Sequence, residues 1–181
     1  MSLESLKDSL PGYAKDVRLN LESVLGEGGA PGLDRKQIGL VALASAVAAR
    51  HAPLTAAIQE FAAASADEAE MDGARAAATV MGMNNVYYRF THSVSDQEYS
   101  TLRASLRMNV MARPGCDKTA FELASLAVSA INGCAACMDA HEKTLRQHGL
   151  GAQAVQSAVR IAAVIHAAAV ILEHEAIRPA A

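Results

Sequence analysis

The chain has 181 residues, a net charge of −3, 51% hydrophobic residues and only 4% aromatic residues, with no Trp. A chain of this length is expected to form one domain around one buried core, so residues 1–181 are treated as a single domain. The 16 basic and 19 acidic residues are mixed along the sequence, without a run of like charges. This charge pattern favours neither nucleic acid nor an anionic membrane as a partner.

No stretch of the sequence predicts a membrane span or an export signal. The longest nearly uninterrupted apolar run, Ile161 to Leu172, is too short to cross a bilayer and contains His166. The first residues lack the basic-then-apolar order of a signal peptide. Only two of the three cysteines lie close together, which argues against a disulfide-stapled secreted fold. We therefore expect a soluble, cytoplasmic protein.

Helix signals follow one another along the first half of the chain. A leucine pattern that starts at Leu3 is interrupted by Pro11 and resumes until the glycine-proline loop at 26–32. Asp34, with Gln at position 37, predicts a capped helix through residue 49, and Pro53 suits the first turn of the next helix. A long helical segment is expected from about residue 67 to residue 90.

The second half of the sequence also predicts helices and no strands, so the expected fold is an all-α multi-helix bundle. Residues 95–98 (SDQE) resemble a capping signal and predict a helix from about Tyr99 to Arg113, where Pro114 and Gly115 end it. Three more helices are expected over 118–131, from near Cys134 to Gly149, and over about 152–175. Asn132 and Gly133 are the expected cap between the first two of these.

A weak internal echo suggests a duplicated helical unit. LASAVAAR (43–50) resembles LAVSAING (126–133) in its pattern of small residues, and each segment is followed by a second helical segment. If the duplication is real, the residues with chemical function occur in only one copy.

The segment INGCAACMDAH (131–141) carries the candidate chemistry. Cys134 and Cys137 lie three apart at the start of a helix, where unpaired amides and the positive dipole end stabilise a thiolate. The spacing also suits an intramolecular disulfide. His141 lies four residues after Cys137 on the same helix face, so its imidazole can exchange a proton with that sulfur.

Glu122 is a candidate partner of His141. At about 1.5 Å per residue, Glu122 lies roughly 16 Å before the turn at Gly133 and His141 roughly 12 Å after it. If the two helices pack antiparallel, the side chains lie at similar heights across a gap of about 8–10 Å between the axes. A relay of Glu122, His141 and the two cysteines is therefore physically reasonable.

Other interpretations of the cysteine pair remain open at this point. Two small cysteines could simply pack in an Ala-rich core. Zinc could be held by the pair and His141 with Glu122 or His148, although no second cysteine pair exists and Cys116 is remote in sequence. Covalent haem attachment is excluded because Met138, and not His, follows the second cysteine.

Several further residues have less specific interpretations. The run MGMNNVYY (81–88) is expected to form an interface or a pocket wall, with ordinary core packing as the alternative. His51 is expected at an exposed helix end, and His166 in the core or at an interface. Cys116, next to Pro114 and Gly115, is expected to be an unpaired loop thiol.

The segment FELASLAVSAINGCAACMDAHEKTLRQHG resembles the active-site segment of the alkylhydroperoxidase D (AhpD) family, part of the carboxymuconolactone decarboxylase-like superfamily. The resemblance extends to MSLESLKDSLPGYAKDVRLNL, VMGMNNVYYRF and LRMNVMARPG, and so covers nearly the whole chain. Its most specific element is the spacing Glu-x11-Cys-x2-Cys-x3-His, from Glu122 to His141.

This resemblance implies an all-helical homotrimer with a thiol-dependent alkyl hydroperoxide reductase (peroxidase) activity. It assigns peroxide attack to Cys137, resolution into a Cys134–Cys137 disulfide to Cys134, and a proton relay to Glu122 and His141. No bound cofactor or metal is implied. The implied reductant is dihydrolipoamide on a lipoylated 2-oxoacid dehydrogenase component, and the implied partner is a peroxiredoxin of the AhpC type.

One position departs from the family pattern, because well-known members carry His immediately before the second cysteine and this chain has Ala136. Dipole reasoning alone also makes Cys134, not Cys137, the more acidic thiol. The main alternative hypothesis is therefore a disulfide reductase that passes electrons to a peroxiredoxin and has little peroxidase activity of its own. A third hypothesis keeps the scaffold and assigns the cysteines to a different small substrate.

Overall fold

A computed structural model of the protein describes residues 2–178, and this part of the chain forms helices and no strands. The all-α prediction is therefore confirmed. The helices are α1 (Leu3–Asp8), α2 (Lys15–Leu25), α3 (Arg35–Ala49), α4 (Ala52–Ala63), α5 (Glu68–Ser93), α6 (Glu98–Thr101), α7 (Asn109–Ala112), α8 (Lys118–Ile131), α9 (Ala135–Gln147) and α10 (Ala152–Ile177), with a short 3₁₀ helix at Gly12–Ala14.

The helix starts follow the capping signals of the sequence. Asp34 and Gln37 form a reciprocal capping box at the start of α3, as the sequence predicts. Pro53 lies in the first turn of α4, and Asp67 caps α5 with a second capping box. The Asp117 side chain accepts a hydrogen bond from the Ala120 amide and so caps α8.

Two three-helix units repeat one another, which extends the weak echo seen in the sequence. Helices α3, α4 and α5 have 15, 12 and 26 residues, and α8, α9 and α10 have 14, 13 and 26 residues. The turn after the first helix of each unit has a residue in the left-handed region, Arg50 with φ 62° and Gly133 with φ 69°. Each unit therefore places a left-handed residue directly before the residue that caps its second helix.

The first helices of the two units, α3 and α8, pack against each other, and α5 and α10 each pack on both of them. Buried side chains from both units and from α1 and α2 join in one contiguous hydrophobic core. Most of α3 and α8 is buried, because each is covered by neighbours on several sides. The helix that carries Glu122 is thus the most firmly held element of the second unit.

Helix α10 is longer than the apolar run on which the sequence analysis relied. Among the described helices it is the one that is long and apolar enough to cross a membrane by length and composition alone. A core helix passes the same test, and α10 packs along α2, α3 and α8 with a face that includes Ile161 and Ile165, both fully buried.

The predicted helix from Tyr99 to Arg113 is wrong. Only the single turns α6 and α7 form there, and Ser105 between them adopts a left-handed φ of 50°. None of the residues 86–119 is buried in the chain. Isolated short helices are marginal without an apolar face to bury, so no long helix forms here. We call residues 94–117, which connect α5 to α8, the arm.

Two histidine predictions can be compared with the structure. His51 is 7% exposed, and its Nδ1 accepts a hydrogen bond from the Leu54 amide at 3.1 Å, so it lies at a helix end as predicted but is buried. His166 lies on the exposed side of α10, so its predicted core position is wrong and its alternative position at an interface stays a prediction. Helix periodicity alone does not show which side of a wide apolar helix remains uncovered.

Gly133 and Gly82 offer a matched test of the α8–α9 turn. A Cβ at either position would meet nothing within 4 Å, but Gly133 has a φ of +69° and Gly82 lies inside α5. We expect Gly133→Ala to lower the free energy of unfolding by about 1 kcal/mol and Gly82→Ala to raise it by about 0.4–1 kcal/mol. Urea unfolding of the oxidised variants at one protein concentration measures both; equal effects would contradict the role of the turn.

Candidate active site

The turn between α8 and α9 is a Schellman motif, which reverses the chain so that the two helices pack against each other. The Cys134 amide donates to the Ser129 carbonyl at 3.0 Å, and the Gly133 amide donates to the Ala130 carbonyl at 3.2 Å. Gly133 takes the left-handed conformation that this motif needs. Cys134 then follows directly as the N-cap of α9, so the turn fixes the direction in which α9 begins.

Side chains from α5 brace this turn. The Asn85 amide donates to Ser129 Oγ at 2.9 Å, and Asn132 Nδ2 donates to Asn85 Oδ1 at 3.0 Å. Arg89 donates to the Asn132 carbonyl at 2.7 Å, which satisfies an oxygen at the C-terminal end of α8. Asn85 is completely buried and has partners for both ends of its amide. The backbone that precedes the cysteines is therefore held to α5 by three hydrogen bonds.

Cys134 and Cys137 form a disulfide in this structure, with Cα atoms 5.3 Å apart. Cys134 is completely buried, whereas Cys137 is 8% exposed. The Cys137 amide donates to Cys134 Sγ at 3.3 Å, as expected for an N-cap side chain. The spacing of the two cysteines thus permits the disulfide that the sequence suggested, and the structure shows the oxidised form of the pair.

Glu122 and His141 lie in direct contact, in agreement with the register calculated from the helix rise. His141 Nδ1 lies 2.7 Å from Glu122 Oε2, and both side chains are about 7% exposed. Lys118 Nζ lies 3.9 Å from the other carboxylate oxygen. With Nδ1–H donated to the carboxylate, the imidazole is held in one orientation and Nε2 is directed away from Glu122.

His141 Nε2 lies 3.2 Å from the sulfur of Met81, a residue of α5. A thioether is only a weak hydrogen-bond acceptor, so this contact is easily exchanged for a stronger partner. Nδ1 of His141 is therefore held by its hydrogen bond to Glu122, whereas Nε2 has only a weak contact with Met81. A group with this arrangement can move a proton between the buried carboxylate and a molecule bound beside Met81.

A cavity of about 340 Å³ opens beside Cys137. Cys137 and His141 line it, but Cys134 does not. The rest of the wall is mostly apolar and comes from α5, α9 and the arm: Met81, Asn84, Tyr88, His92, Met108, Met111, Ala136 and Ala140. A small apolar molecule can therefore reach the sulfur of Cys137 and the imidazole together.

A larger cavity, about 740 Å³, lies elsewhere, between α1, α2 and α3. It contains neither cysteine of the pair, and we assign the chemistry to the smaller cavity because Cys137 and His141 both line it. No cluster of three or more His, Cys, Asp or Glu side chains in residues 2–178 is placed to hold a metal. The zinc interpretation thus gains no support.

Cys116 is a free thiol in the arm, as predicted, and its sulfur packs over Gly73. Burial, and after it the charges of Asp117 and Glu70, raise the pKa of the Cys116 thiol above its ordinary value. Less thiolate is present at neutral pH as a result. Cys116 is therefore poorly suited to act as a third redox thiol.

The first helical unit lacks the chemistry of the second, although it repeats its backbone. His51 caps α4 as Cys134 caps α9, each accepting a hydrogen bond from the amide three residues later. The positions of the first unit that match Glu122, Cys134, Cys137 and His141 are, in that order, Gly39, His51, Leu54 and Ile58.

The cysteines and the Glu122–His141 pair are predictable from the sequence, but only part of the pocket is. The run 81–88 indeed provides a wall through Met81, Asn84 and Tyr88. Met108 and Met111 were missed, because the expected helix over 99–113 gave no reason to place them near Cys137. The sequence carries no local signal that would direct this arm to the pocket.

Comparison with known proteins gives one consistent result. A family model described as the carboxymuconolactone decarboxylase family matches residues 97–180. A protein named alkyl hydroperoxide reductase AhpD from Bradyrhizobium sp. (strain BTAi1) is 49% identical over 177 residues, which covers 98% of this chain and 96% of the relative. Proteins of the same name from Methylocella silvestris (51% identical, 96% of each chain) and Streptomyces coelicolor (48% identical, 98% of each chain) are similarly close.

Removal of the Glu122 carboxylate should destabilise the fold. We expect Glu122→Ala to lower the free energy of unfolding by about 1–3 kcal/mol, because the buried Nδ1–H of His141 would lose its acceptor. Glu122→Gln keeps an acceptor oxygen at the same position and serves as the matched control, with a smaller loss. Urea unfolding at constant pH measures both; equal losses would show that the hydrogen bond contributes little.

Proposed function

The chain belongs to the alkyl hydroperoxide reductase AhpD family, and from its site we propose that it reduces organic hydroperoxides with the Cys134–Cys137 pair. The observation that carries this proposal is a cavity lined by both Cys137 and His141, with the Glu122 carboxylate hydrogen-bonded to Nδ1 of the imidazole. A peroxidase needs an accessible thiol and a proton donor for the leaving oxygen. Both are present within one mostly apolar cavity, which suits an alkyl group.

We assign peroxide attack to Cys137 and resolution to Cys134. Cys137 reaches the cavity, whereas Cys134 is completely buried and is absent from the cavity wall. Access thus favours Cys137, although the helix dipole alone favours Cys134. A thiol that cannot meet the peroxide but lies within disulfide distance of the one that can is suited to resolution.

The reaction requires the reduced pair. The Cys137 thiolate attacks the distal oxygen of the hydroperoxide, the O–O bond breaks, and the distal OH stays on sulfur as a sulfenic acid. The alkoxide leaves with the bonding electron pair and takes a proton through His141, whose Nδ1 is held by Glu122. The Cys134 thiol then attacks the Cys137 sulfur and its proton passes to the departing hydroxide, so that the disulfide forms and water leaves.

The disulfide must be reopened by an external dithiol before another turnover. We propose dihydrolipoamide on a lipoylated 2-oxoacid dehydrogenase component as that reductant, as the family resemblance implies. Its chain is apolar and its thiols are terminal, which suits the same mostly apolar cavity. Thiol–disulfide exchange then returns two thiols to the pair and closes the lipoyl ring. Such a cycle suits a reducing cytoplasm.

The second candidate function is electron transfer from lipoyl groups to an AhpC-type peroxiredoxin. The observation that favours it is Ala136 in the cavity wall, since this methyl group provides no proton where well-known family members carry His. Activation of peroxide then depends on Glu122 and His141 alone. A coupled assay with and without the oxidised peroxiredoxin distinguishes the two functions.

We propose that the chain assembles as a homotrimer through α5 and the arm. None of the residues 86–119 is buried within the chain, and they include four large apolar side chains that are 41–61% exposed: Val86, Phe90, Tyr99 and Leu102. The rings of Phe90 and Tyr99 contact each other with centroids 5.2 Å apart, so part of this surface is contiguous. Surfaces of this kind commonly mark protein interfaces.

Cys137→Ser should abolish turnover of cumene hydroperoxide, because no thiolate would remain in the cavity. Cys134→Ser should still consume one equivalent of peroxide and stop at the sulfenic acid, which dimedone traps. Stopped-flow oxidation of the pre-reduced proteins, with thiols counted before and after, measures both results. Normal turnover by Cys137→Ser would end the peroxidase proposal.

Glu122→Gln and Cys116→Ser serve as controls for that experiment. Since positioned acid–base groups contribute about 10²–10⁴-fold to rates, Glu122→Gln should slow peroxide oxidation strongly while leaving both thiols in place. Cys116→Ser should leave the rate unchanged, because Cys116 pairs with neither cysteine.

Phe90→Glu should weaken the proposed assembly, because it places a carboxylate in a desolvated apolar contact. Leu19→Glu is the matched control, since Leu19 is 45% exposed on α2 against 48% for Phe90. Size-exclusion chromatography with light scattering should show a trimer for the wild type and Leu19→Glu, and smaller species for Phe90→Glu. A monomeric wild type would overturn the proposal.

A further inference from the structure

Asn84 is a buried amide whose hydrogen-bonding capacity is left almost unused. Its side chain is 3% exposed, and its Oδ1 has no hydrogen-bond partner within residues 2–178. Its Nδ2 has one contact, with the sulfur of Met111 at 3.5 Å. Such a group costs roughly 1–3 kcal/mol when it is buried without partners. An apolar residue of the same shape would avoid that cost.

The opposite orientation of the amide does not remove the deficit. A thioether can accept a weak hydrogen bond but cannot donate one, so an oxygen turned toward Met111 would also lack a donor. The adjacent Asn85 provides a contrast, because both ends of its amide are bonded to Ser129 and Asn132. Asn85 braces the fold, whereas Asn84 contributes no strong hydrogen bond to it.

The position of Asn84 suggests what the amide serves. It lies one turn after Met81 on α5 and lines the cavity that Cys137 and His141 share. The remaining wall of that cavity is mostly apolar. A hydroperoxide group is polar and has one donor and two acceptor oxygens, so it needs polar partners to enter such a cavity. Asn84 has an acceptor without a partner and a weakly engaged donor, and because Oδ1 is itself buried, the amide turns toward the cavity to present it.

We propose that Asn84 is a catalytic residue that binds the hydroperoxide group of the substrate. This inference rests on the proposed peroxidase function. Oδ1 accepts a hydrogen bond from the distal O–H. Nδ2 exchanges its weak contact with the Met111 sulfur for a hydrogen bond that it donates to the proximal oxygen. The Cys137 thiolate attacks the distal oxygen and the O–O bond breaks. The bonding pair leaves on the proximal oxygen, which Nδ2–H stabilises until a proton arrives through His141.

The role of Asn84 is confined to the peroxide half of the cycle. Reduction of the disulfide by a dithiol involves only sulfur exchange, with no oxygen to bind. A substrate-binding role therefore predicts a loss in one half-reaction alone. A purely structural role predicts loss of stability and of both half-reactions together.

The test compares Asn84→Leu with the wild type in both half-reactions. Stopped-flow oxidation of the reduced protein by cumene hydroperoxide should slow by about 10²-fold, the effect typical of a lost donor to a developing oxyanion. Reduction of the disulfide by dithiothreitol should stay within about twofold, and the urea midpoint should stay equal or rise, because an unpaired polar group is removed. Asn84→Ala repeats the test if Leu fails to fold.

Ser125→Ala is the matched control. Ser125 Oγ is the other buried side-chain atom of residues 2–178 without a partner, but Ser125 is absent from the cavity wall. Its removal should leave both half-reactions unchanged. Normal peroxide oxidation by Asn84→Leu, or parallel loss of stability and both half-reactions in both Asn84 variants, would overturn the inference. A wild type that peroxide does not oxidise would overturn the proposed function and this inference with it.

Discussion

The Gly133 turn sets the geometry on which the rest of the site depends. It reverses the chain from α8 into α9 over three residues and satisfies the last carbonyls of α8 with the amides of Gly133 and Cys134. Because both helices rise by about 1.5 Å per residue from this fixed point, Glu122 and His141 meet at the same height. The same turn makes Cys134 the N-cap, which places Cys137 three residues on at the surface of the cavity.

The repeated unit shows that this backbone does not by itself provide chemistry. The turn between α3 and α4 also has a left-handed residue, Arg50, and His51 caps α4 as Cys134 caps α9. The position that matches Glu122 is Gly39, where a Cβ would lie 3.1 Å from the Ala62 Cα, so glycine lets α3 pack closely on α4. The first unit thus has a close-packed residue at this position, and the second has the residues for which we propose proton and electron transfer. The two units then stabilise each other through α3 and α8.

Sequence reasoning succeeded where local rules determine the structure. Caps, proline positions and helix periodicity are short-range, so α3, α5 and α8 could be placed within a few residues. The Glu122–His141 contact followed from helix rise and one turn. The arm could not be predicted in the same way, because Leu102, Leu106 and Val110 have helix spacing but none of them is buried in the chain. Periodicity indicates a helix only when a neighbour buries the apolar face.

The cavity wall explains why two functions compete for the same site. Its inner side comes from α5 and α9, which are braced by the Asn85 network and by the core, and holds Cys137, His141 and Asn84 in place. Its outer side comes from Met108 and Met111 on an arm without buried residues. In the functions proposed above, a small hydroperoxide would need only the inner side, whereas a lipoyl arm or a peroxiredoxin would also contact the outer side. On that proposal the inner side governs peroxide chemistry, and the arm governs which redox partner reaches the disulfide.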